Sequence, residues 1–464
     1  MNNLIEKIGL VYHNTDIFPS IFLLLFFRMM GIYVHEYQTN LSVNVKRCKD
    51  IYFAIICLIS EKCTPDELTE YVAHFQTQSL SQKIIFMVPN RFHDKFFNHS
   101  LLAESANQYT IWYNDPDNRK EKINLLYHLI TVLCPVDKFT SSVANTIIQW
   151  EEIKENLKVL AEIYVRHDLQ NLSLKGKFFY SNKYLFKDLQ KQYIQLITDI
   201  FHSVPDWTDD ENLFYSRLAF INMGYEFNAL CQKNDEPYIY SSRHLLILCN
   251  DLIDRYGNSV NLLMLKGQIY EDLLKQHSKA YECYIAANQK AKGFNVYTLY
   301  KLGMYKEKNL YFWSDAIEDY QNALELYPGY YRVLYRLGIC EEKLEHTHRA
   351  ISAYKRIYTI LKDKIADRCL RPMEIEYLFK ISLKLASLYE YNVGDVTRSY
   401  HYYRNAEKTY SLIKQSHFLE ALMGQDTADE LNSIIEEHLN IDYVLEKIYW
   451  YNRNQNAVKK LLQN

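Results

Sequence analysis

Apolar and polar positions follow two different patterns along the chain. In residues 1–137, five short apolar runs have the length and composition of β-strands, and segments with polar turns or helical spacing separate them. The runs cover residues 8–12, 32–37, 51–59, 83–88 and 108–113. The run IYFAIICLI at 51–59 is apolar throughout, as in a parallel strand buried on both faces. Strands that alternate with helices predict a parallel sheet covered by helices on both sides.

After residue 141 the apolar spacing is helical, and no strand is predicted. A break at Pro205 separates two groups of helices. The fold class is therefore α/β followed by all-α. We predict an α/β domain at 1–137, a helical connector at 138–210 and a helical-repeat domain at 211–464. The repeat domain is expected to end in a pair of capping helices after Asp426.

A repeated register of small residues and tyrosines marks the helical part. A first small residue recurs at four places, and a second follows it 12 or 13 residues later. A tyrosine stands four residues after each second small residue. The first small residues are Gly267, Gly303, Gly338 and Ala386; the second are Ala280, Ala316, Ala350 and Ser399; the tyrosines are Tyr284, Tyr320, Tyr354 and Tyr403. This register resembles the tetratricopeptide repeat (TPR), in which two helices form a hairpin. The longer interval before Tyr403 predicts an insertion near 362–376, and residues 213–256 are expected to add a divergent repeat.

The TPR resemblance implies a solenoid that binds a protein or peptide along its first helices. Carried over position by position, the binding groove contains aromatic, apolar and charged side chains. These are Tyr297, Tyr300, Met304, Lys308, Arg332, Tyr335, Ile339, Lys343, Lys380 and Tyr391, with Glu307, Glu342 and Glu390 between them. Met304 and Ile339 stand where chaperone-binding relatives have asparagine. The resemblance therefore does not imply capture of a chaperone C-terminus. The alternative for each residue is ordinary helix surface.

The N-terminal pattern resembles a degenerate TIR domain, which has a flavodoxin-like parallel sheet. The opening IGLVYHNTDIFPSIFLLLFFRMMGIYVHEY has the order strand, polar loop, helix, glycine and strand. A buried strand then leads through Ser60 and Cys63 to Glu67. Departures from the family pattern are clear. Lys62 replaces an aromatic residue, and Cys63 precedes Glu67 by four residues where the family has three, so that Asp66 fits the spacing better.

The TIR resemblance implies NAD as a substrate whose glycosidic bond to nicotinamide is cleaved. Glu67, or Asp66 in its place, would stabilise the positive charge that develops on the ribose. The residues that would surround the nucleotide are His13, Asn14, Lys46, Arg47 and Ser60. An acidic residue in the first turn of a helix is also an ordinary partner of the helix dipole, and this alternative stays open.

Residues 18–30, from Phe18 to Met30, form a predicted helix that is apolar nearly all round. A helix on the surface of an α/β domain normally has one polar face. The helix is therefore either buried inside the chain or used for self-association into a homo-oligomer.

Composition narrows the function classes. The net charge is -3, and no DNA-reading motif occurs, so nucleic acid is not an expected partner. No apolar run is long enough to span a membrane. The nine cysteines have no metal-ligand spacing, so no metal site is expected. Their odd number and scattered positions favour a cytoplasmic protein. The principal hypothesis is a scaffold or sensor in which the repeats bind a partner and the TIR-like domain signals by self-association. The alternative is an NAD glycohydrolase of bacterial anti-phage defence, and the second alternative is a peptide-responsive regulator.

Overall fold

The computed structural model describes eight segments of the chain, together with isolated positions between 23 and 232. The segments are 7–12, 32–38, 52–59, 83–92, 108–113, 240–366, 372–411 and 441–454, and the last three are helical. The described residues belong to two compact units, one up to Thr298 and one from Leu299 onward. The domain boundaries at 137 and 210 stay predictions.

A five-stranded parallel sheet forms the N-terminal part, as the apolar runs predict. The strands are β1 Lys7–Tyr12, β2 Tyr33–Gln38, β3 Ala54–Leu58, β4 Lys83–Pro89 and β5 Gln108–Tyr113. Their order in the sheet is β2-β1-β3-β4-β5, and every adjacent pair is parallel. The central strand β3 is buried along its whole length. Doubly wound α/β folds of many functions share this strand order, so the TIR identity stays a hypothesis.

The predicted apolar helix at 18–30 is described at two positions. Leu23 and Phe27 are helical and buried. This burial agrees with a helix that packs inside the chain. The other positions of the segment lie outside the described residues, and self-association through it stays a prediction.

Helices fill the remainder of the described chain. They are α1 Ser242–Tyr256, α2 Val260–Gln268, α3 His277–Lys290, α4 Val296–Tyr305, α5 Trp313–Leu326, α6 Tyr331–Lys343, α7 Thr347–Ala366, α8 Pro372–Ser387, α9 Val396–Ser411 and α10 Ile441–Arg453. We call α2, α4, α6 and α8 the A helices and α3, α5, α7 and α9 the B helices. Each A helix packs against the B helix that follows it, which confirms a TPR-like helical region.

Close approach of the two helices depends on the small residue of each A helix. A Cβ atom built on Gly303 or Gly338 would lie 2.5 Å from Cε1 of Tyr320 or Tyr354 on the following B helix. Gly224 has the same role in the divergent repeat before α2, where the added Cβ would lie 2.7 Å from Cδ2 of Leu245. The aromatic or leucine side chain therefore occupies the space that a Cβ atom on the glycine would need.

Substitution of Gly338 by alanine is expected to lower the free energy of unfolding by about 1–3 kcal/mol, because the added methyl group collides with a buried ring. Helix propensity alone predicts the opposite effect, an increase in the free energy of unfolding of about 1 kcal/mol. Urea unfolding followed by circular dichroism distinguishes the two. Ser352→Ala, at an exposed position of α7, is the control and should stay within about 0.5 kcal/mol of the wild type. A stabilised Gly338→Ala variant would contradict this packing.

Three of the A helices end in a π-helical turn. These turns are Ile269–Leu273, Lys306–Leu310 and Leu388–Val393, and α6 ends without one. In the hairpins with a π-helical turn, the second small residue follows the first by 13 residues; in the α6–α7 hairpin the interval is 12. A π-helical turn contains one more residue than an α-helical turn. The turn therefore absorbs the extra residue and keeps each tyrosine beside its small residue.

The predicted insertion near 362–376 falls where α7 ends and α8 begins. Helix α7 has 20 residues, whereas the corresponding helix α5 has 14. Part of the insertion thus extends α7. One predicted capping helix is also described: α10 packs against α9, where the hydroxyls of Tyr451 and Ser399 are 3.2 Å apart.

Candidate binding face of the repeat helices

A hydrogen bond from a B-helix tyrosine to an A-helix glutamate recurs in all four hairpins. The glutamate stands four residues after the small residue of its A helix. The donor and acceptor pairs are Tyr284 and Glu271 at 2.5 Å, Tyr320 and Glu307 at 2.7 Å, Tyr354 and Glu342, and Tyr403 and Glu390 at 2.9 Å. The four tyrosine side chains are fully or almost fully buried, so each hydroxyl has a partner for the hydrogen that it must donate.

A cation from the next helix binds the other oxygen of three of these glutamates. Arg336 of α6 contacts Glu307 at 3.0 Å. Lys384 of α8 contacts Glu342 at 3.0 Å, and Lys447 of α10 contacts Glu390 at 2.9 Å. We call this series of tyrosine, glutamate and cation the glutamate ladder. It links each hairpin in the second unit to the helix that follows.

Protonation in the ladder follows from burial and from the neighbouring charge. Burial, the negative charge of Glu307 and the hydrogen bond to it raise the pKa of Tyr320 far above its ordinary value. Burial and Glu342 raise the pKa of Tyr354 in the same way. Burial lowers the pKa of Arg336, but Glu307 more than offsets this effect and the pKa is raised. The tyrosines therefore remain hydrogen-bond donors, and the arginine keeps its charge.

A cluster of tyrosines connects successive A helices beside the ladder. The ring centroids of Tyr300 and Tyr330 are 5.8 Å apart. Tyr377 on α8 lies edge-on to Tyr331 at 5.2 Å and to Tyr335 at 5.3 Å. These five residues, which we call the tyrosine face, are half-buried. Each presents part of an aromatic ring at the surface of the A-helix layer.

Arg332 lies among these tyrosines. Burial lowers the pKa of its guanidinium, but the hydroxyls of Tyr330, Tyr331, Tyr377 and Tyr300 more than offset this effect and hold the pKa well above its usual value. Arginine and tyrosine are the residue types that contribute most often to the energetic centres of protein interfaces. The predicted groove residues Tyr300, Arg332 and Tyr335 are therefore brought together by the fold.

The other predicted groove residues differ in how far their side chains are exposed to solvent. Met304 and Ile339 are half-buried apolar side chains on α4 and its neighbour α6. Lys308 and Lys343 are exposed near the ends of the same two A helices. Lys380 is half-buried and forms an ion pair with Glu376 one turn earlier on α8.

Two predicted groove residues already have partners within the chain. The ring of Tyr297 stacks on Tyr33 of the sheet at 5.0 Å, and its hydroxyl accepts a hydrogen bond from Gln268 at 2.8 Å. The hydroxyl of Tyr391 accepts a hydrogen bond from Lys447 at 2.9 Å, although most of its ring is exposed. Tyr297 therefore serves packing within the first unit, and Tyr391 lies at the last step of the ladder.

Packing in the first unit also produces a polar cluster that sequence reasoning missed. Nδ1 of His35 lies 2.7 Å from the hydroxyl of Tyr52, which also contacts the hydroxyl of Tyr37. The ammonium group of Lys7 lies 5.0 Å from the centre of the Tyr52 ring and donates to the carbonyl of Phe294 at 2.9 Å. The apolar runs at 32–37 and 51–59 predicted strands in this part of the chain, but the residue types did not show which polar groups would meet.

The residues predicted to act on NAD lie outside the described residues. These are Glu67, Asp66, His13, Asn14, Lys46, Arg47 and Ser60. Within the described segments, no group of three or more histidine, cysteine or acidic side chains could hold a metal ion. Among the helices that the structure describes, none is long and apolar enough to cross a membrane.

Comparison with known proteins finds similar helical structures. No protein-family model and no curated protein sequence matches the chain. A crystal structure of MamA is 17% identical, with a TM-score of 0.31, and the match covers 40% of this chain and 95% of MamA. The C-terminal part of a TPR repeat-containing protein from Cytophaga hutchinsonii is 12% identical, with a TM-score of 0.25, over 55% of this chain and 98% of that one. The assignment of the repeats rests on the helix packing described above.

Proposed function

We propose that the repeat region is a protein-binding scaffold that holds a peptide or an extended protein segment on its A-helix face. The tyrosine face around Arg332 is the observation that supports this proposal most strongly. Its aromatic rings and guanidinium offer large contact area and directed hydrogen bonds. The glutamate ladder fixes the A helices against one another, so that little conformational entropy is lost when a partner binds.

The chemistry of this face favours a partner with apolar or aromatic side chains. Met304 and Ile339 stand on neighbouring A helices at the positions where a carboxylate clamp would need asparagine. Both are apolar and only half-buried, so contact with an apolar side chain would remove further apolar area from water. Lys308 and Lys343 at the helix ends would add electrostatic attraction for acidic residues that flank such a segment.

Selection of peptides from a displayed random library on the purified full-length chain tests this proposal. We expect selected peptides rich in apolar and aromatic residues, and at least about a tenfold weaker affinity for the Ile339→Arg variant, because a charge then meets the apolar part of the peptide. The matched control is Ser352→Arg on α7 of the same hairpin, which should bind like the wild type. Equal affinity of both variants would refute binding on the A-helix face.

We further propose a signalling role for the N-terminal domain. Its parallel sheet supports an α/β domain. The proposal that this domain relays binding by self-association, with residues 18–30 as the predicted contact, comes from the TIR resemblance alone. The NAD glycohydrolase alternative predicts that the purified chain consumes NAD and that Glu67→Gln or Asp66→Asn abolishes this activity. If the chain is instead a peptide-responsive regulator, binding of the selected peptides would change the conformation of the N-terminal domain.

A further inference from the structure

The B helices α5 and α7 expose equivalent sides to solvent. Every exposed residue of α5 has an exposed counterpart 34 residues later in α7, and this is also the interval between Tyr320 and Tyr354. Both helices pack against α6. Nη2 of Arg356 on α7 donates a hydrogen bond at 3.3 Å to the carbonyl of Pro328, two residues after the end of α5. The two helices are therefore neighbours, and their outer sides form one surface.

The outer sides of these two helices carry opposite charges. On α5 an acidic stripe consists of Asp315, Glu318 and Glu325, which are exposed, and the helix contains no lysine or arginine. The fourth acidic residue of α5, Asp319, is buried and forms an ion pair with Lys306 at 2.8 Å. On α7, no acidic residue occurs within 347–362, the part of this helix whose side chains the structure describes. Its basic stripe consists of four exposed cations, Arg349, Lys355, Arg356 and Lys362.

The two stripes do not neutralise each other. None of these seven side chains forms an ion pair with another residue that the structure describes. Nζ of Lys355 lies 5.5 Å from the centre of the Tyr389 ring, and Arg356 contacts the carbonyl of Pro328. Neither contact removes a positive charge. Both stripes therefore carry charges that are available to pair with charges of opposite sign on another molecule.

Helical geometry places short side chains at the centre of the basic stripe. At about 100° per residue, Ser352 and Thr359 lie near the middle of the exposed side of α7. A row of cations runs along each flank, about 50–70° away from this middle line. One row is Arg349 with Arg356, and the other is Lys355 with Lys362. The middle line is thus a strip of short polar side chains between two rows of positive charge.

Two glutamates occupy the equivalent central positions of α5. Glu318 is the counterpart of Ser352, and Glu325 is the counterpart of Thr359, each at the interval of 34 residues. Each opposing position on α7 has three cations at a distance of three or four residues along the helix. Residues at that spacing are neighbours on a helix surface. A carboxylate that lies over Ser352 or Thr359 would therefore be surrounded by three positive charges.

We propose that the chain forms a two-fold homodimer in which α5 of each copy lies on α7 of the other. A two-fold axis that is parallel to the two helices and midway between them produces this arrangement. Glu318 then lies opposite Ser352 of the second copy, and Glu325 lies opposite Thr359 of the second copy. Such an interface is isologous and closes at two copies.

A second copy of the chain is the partner that matches both stripes at once. A partner of a single charge sign would pair with one stripe and be repelled by the neighbouring one, whereas the two-fold axis places each stripe on its opposite. Exposed ion pairs are individually weak, so the dimer dissociates on dilution and in salt. The contact uses B helices only and leaves the A-helix face of both copies free. Dimerisation is therefore independent of peptide binding on that face.

Sedimentation velocity of the full chain over a wide concentration range tests for this dimer. We expect a reversible equilibrium between monomer and dimer at about 50 mM salt. At about 500 mM salt the Kd should be at least about tenfold higher, because salt screens exposed charges. An association through apolar side chains would not weaken in this way.

Charge reversal tests the stripes themselves. Reversal of the acidic stripe by Glu318→Lys with Glu325→Lys should raise the Kd at least about tenfold at low salt, because like charges then oppose one another. Reversal of the basic stripe by Lys355→Glu with Arg356→Glu should have the same effect. A chain with all four substitutions has exchanged its stripes and should dimerise again.

Lys275→Glu with Lys292→Glu is the matched control. It changes the net charge as much as reversal of the basic stripe does, at exposed turn residues outside α5 and α7, and it should leave the Kd unchanged. Circular dichroism verifies that each variant is folded, since every substituted side chain is exposed.

Five results would each overturn the proposal. They are a chain that stays monomeric at low salt, a dimer that neither reversal weakens, a loss as large in the control, a four-substitution chain that stays monomeric, and growth beyond two copies. Association that is lost on substitution within residues 18–30 and unaffected by the reversals would instead assign self-association to that segment.

Discussion

Replacing Tyr320 with alanine is expected to lower the free energy of unfolding by about 3–5 kcal/mol. The side chain is completely buried between α4 and α5, where it fills the space beside Gly303 and donates a hydrogen bond to Glu307. Its loss leaves a cavity that the rigid neighbouring helices cannot close, and it also removes the hydrogen bond. Urea unfolding followed by far-UV circular dichroism measures the change.

Tyr311→Ala is the matched control for this substitution. Tyr311 lies in the turn between α4 and α5, only nine residues before Tyr320, and its side chain is 67% exposed. The control should change stability by less than about 0.5 kcal/mol. Comparable losses for both variants would show that the tyrosine of the repeat does not hold the hairpin together.

Glu307→Ala is expected to cost about 3 kcal/mol, because it leaves two groups of the ladder without their acceptor. The hydroxyl of Tyr320 is buried, so water cannot easily replace the carboxylate as its hydrogen-bond acceptor. The side chain of Arg336 is 23% exposed, so water replaces its lost partner only in part. Glu307→Gln keeps an acceptor and should cost less. Glu318→Ala, at an exposed position of α5, is the control and should have almost no effect.

A double-mutant cycle separates the hydrogen bond from general damage to the hairpin. Tyr320→Phe and Glu307→Ala remove the same hydrogen bond, so their combined cost should be smaller than the sum by about 1 kcal/mol. Strict additivity would mean that the two side chains stabilise the fold independently, and the ladder would then not be a coupled element.

The sheet and the hairpins were predictable because their signals are local. Apolar runs such as 51–59 reveal strands that are buried on both faces, and β3 lies within that run. The small residue and the tyrosine of each hairpin are close in sequence, so that their register shows directly. The one-residue difference between intervals of 12 and 13 was also visible. Its structural cause, a π-helical turn, could not be read from residue types.

The glutamate ladder could not be predicted, because its cations come from a different hairpin. Glu307 precedes Arg336 by 29 residues, and the positions taken from the family assigned such glutamates to the groove. Their recurrence four residues after each small residue was the available signal. Tyr297 illustrates the same difficulty, since its stacking partner Tyr33 lies in the sheet.

Photo-crosslinking from α6 tests the central claim most directly, namely that the A-helix face binds a protein. A photoreactive amino acid is placed at Ile339 on this face or at Ser352 on the B helix of the same hairpin, and the full chain is crosslinked in its native cells. We expect one recurrent crosslinked protein from position 339 that position 352 does not give, and we expect an excess of a selected peptide to abolish this crosslink. Identical crosslinks from the two positions, or crosslinks that the peptide leaves unchanged, would contradict it.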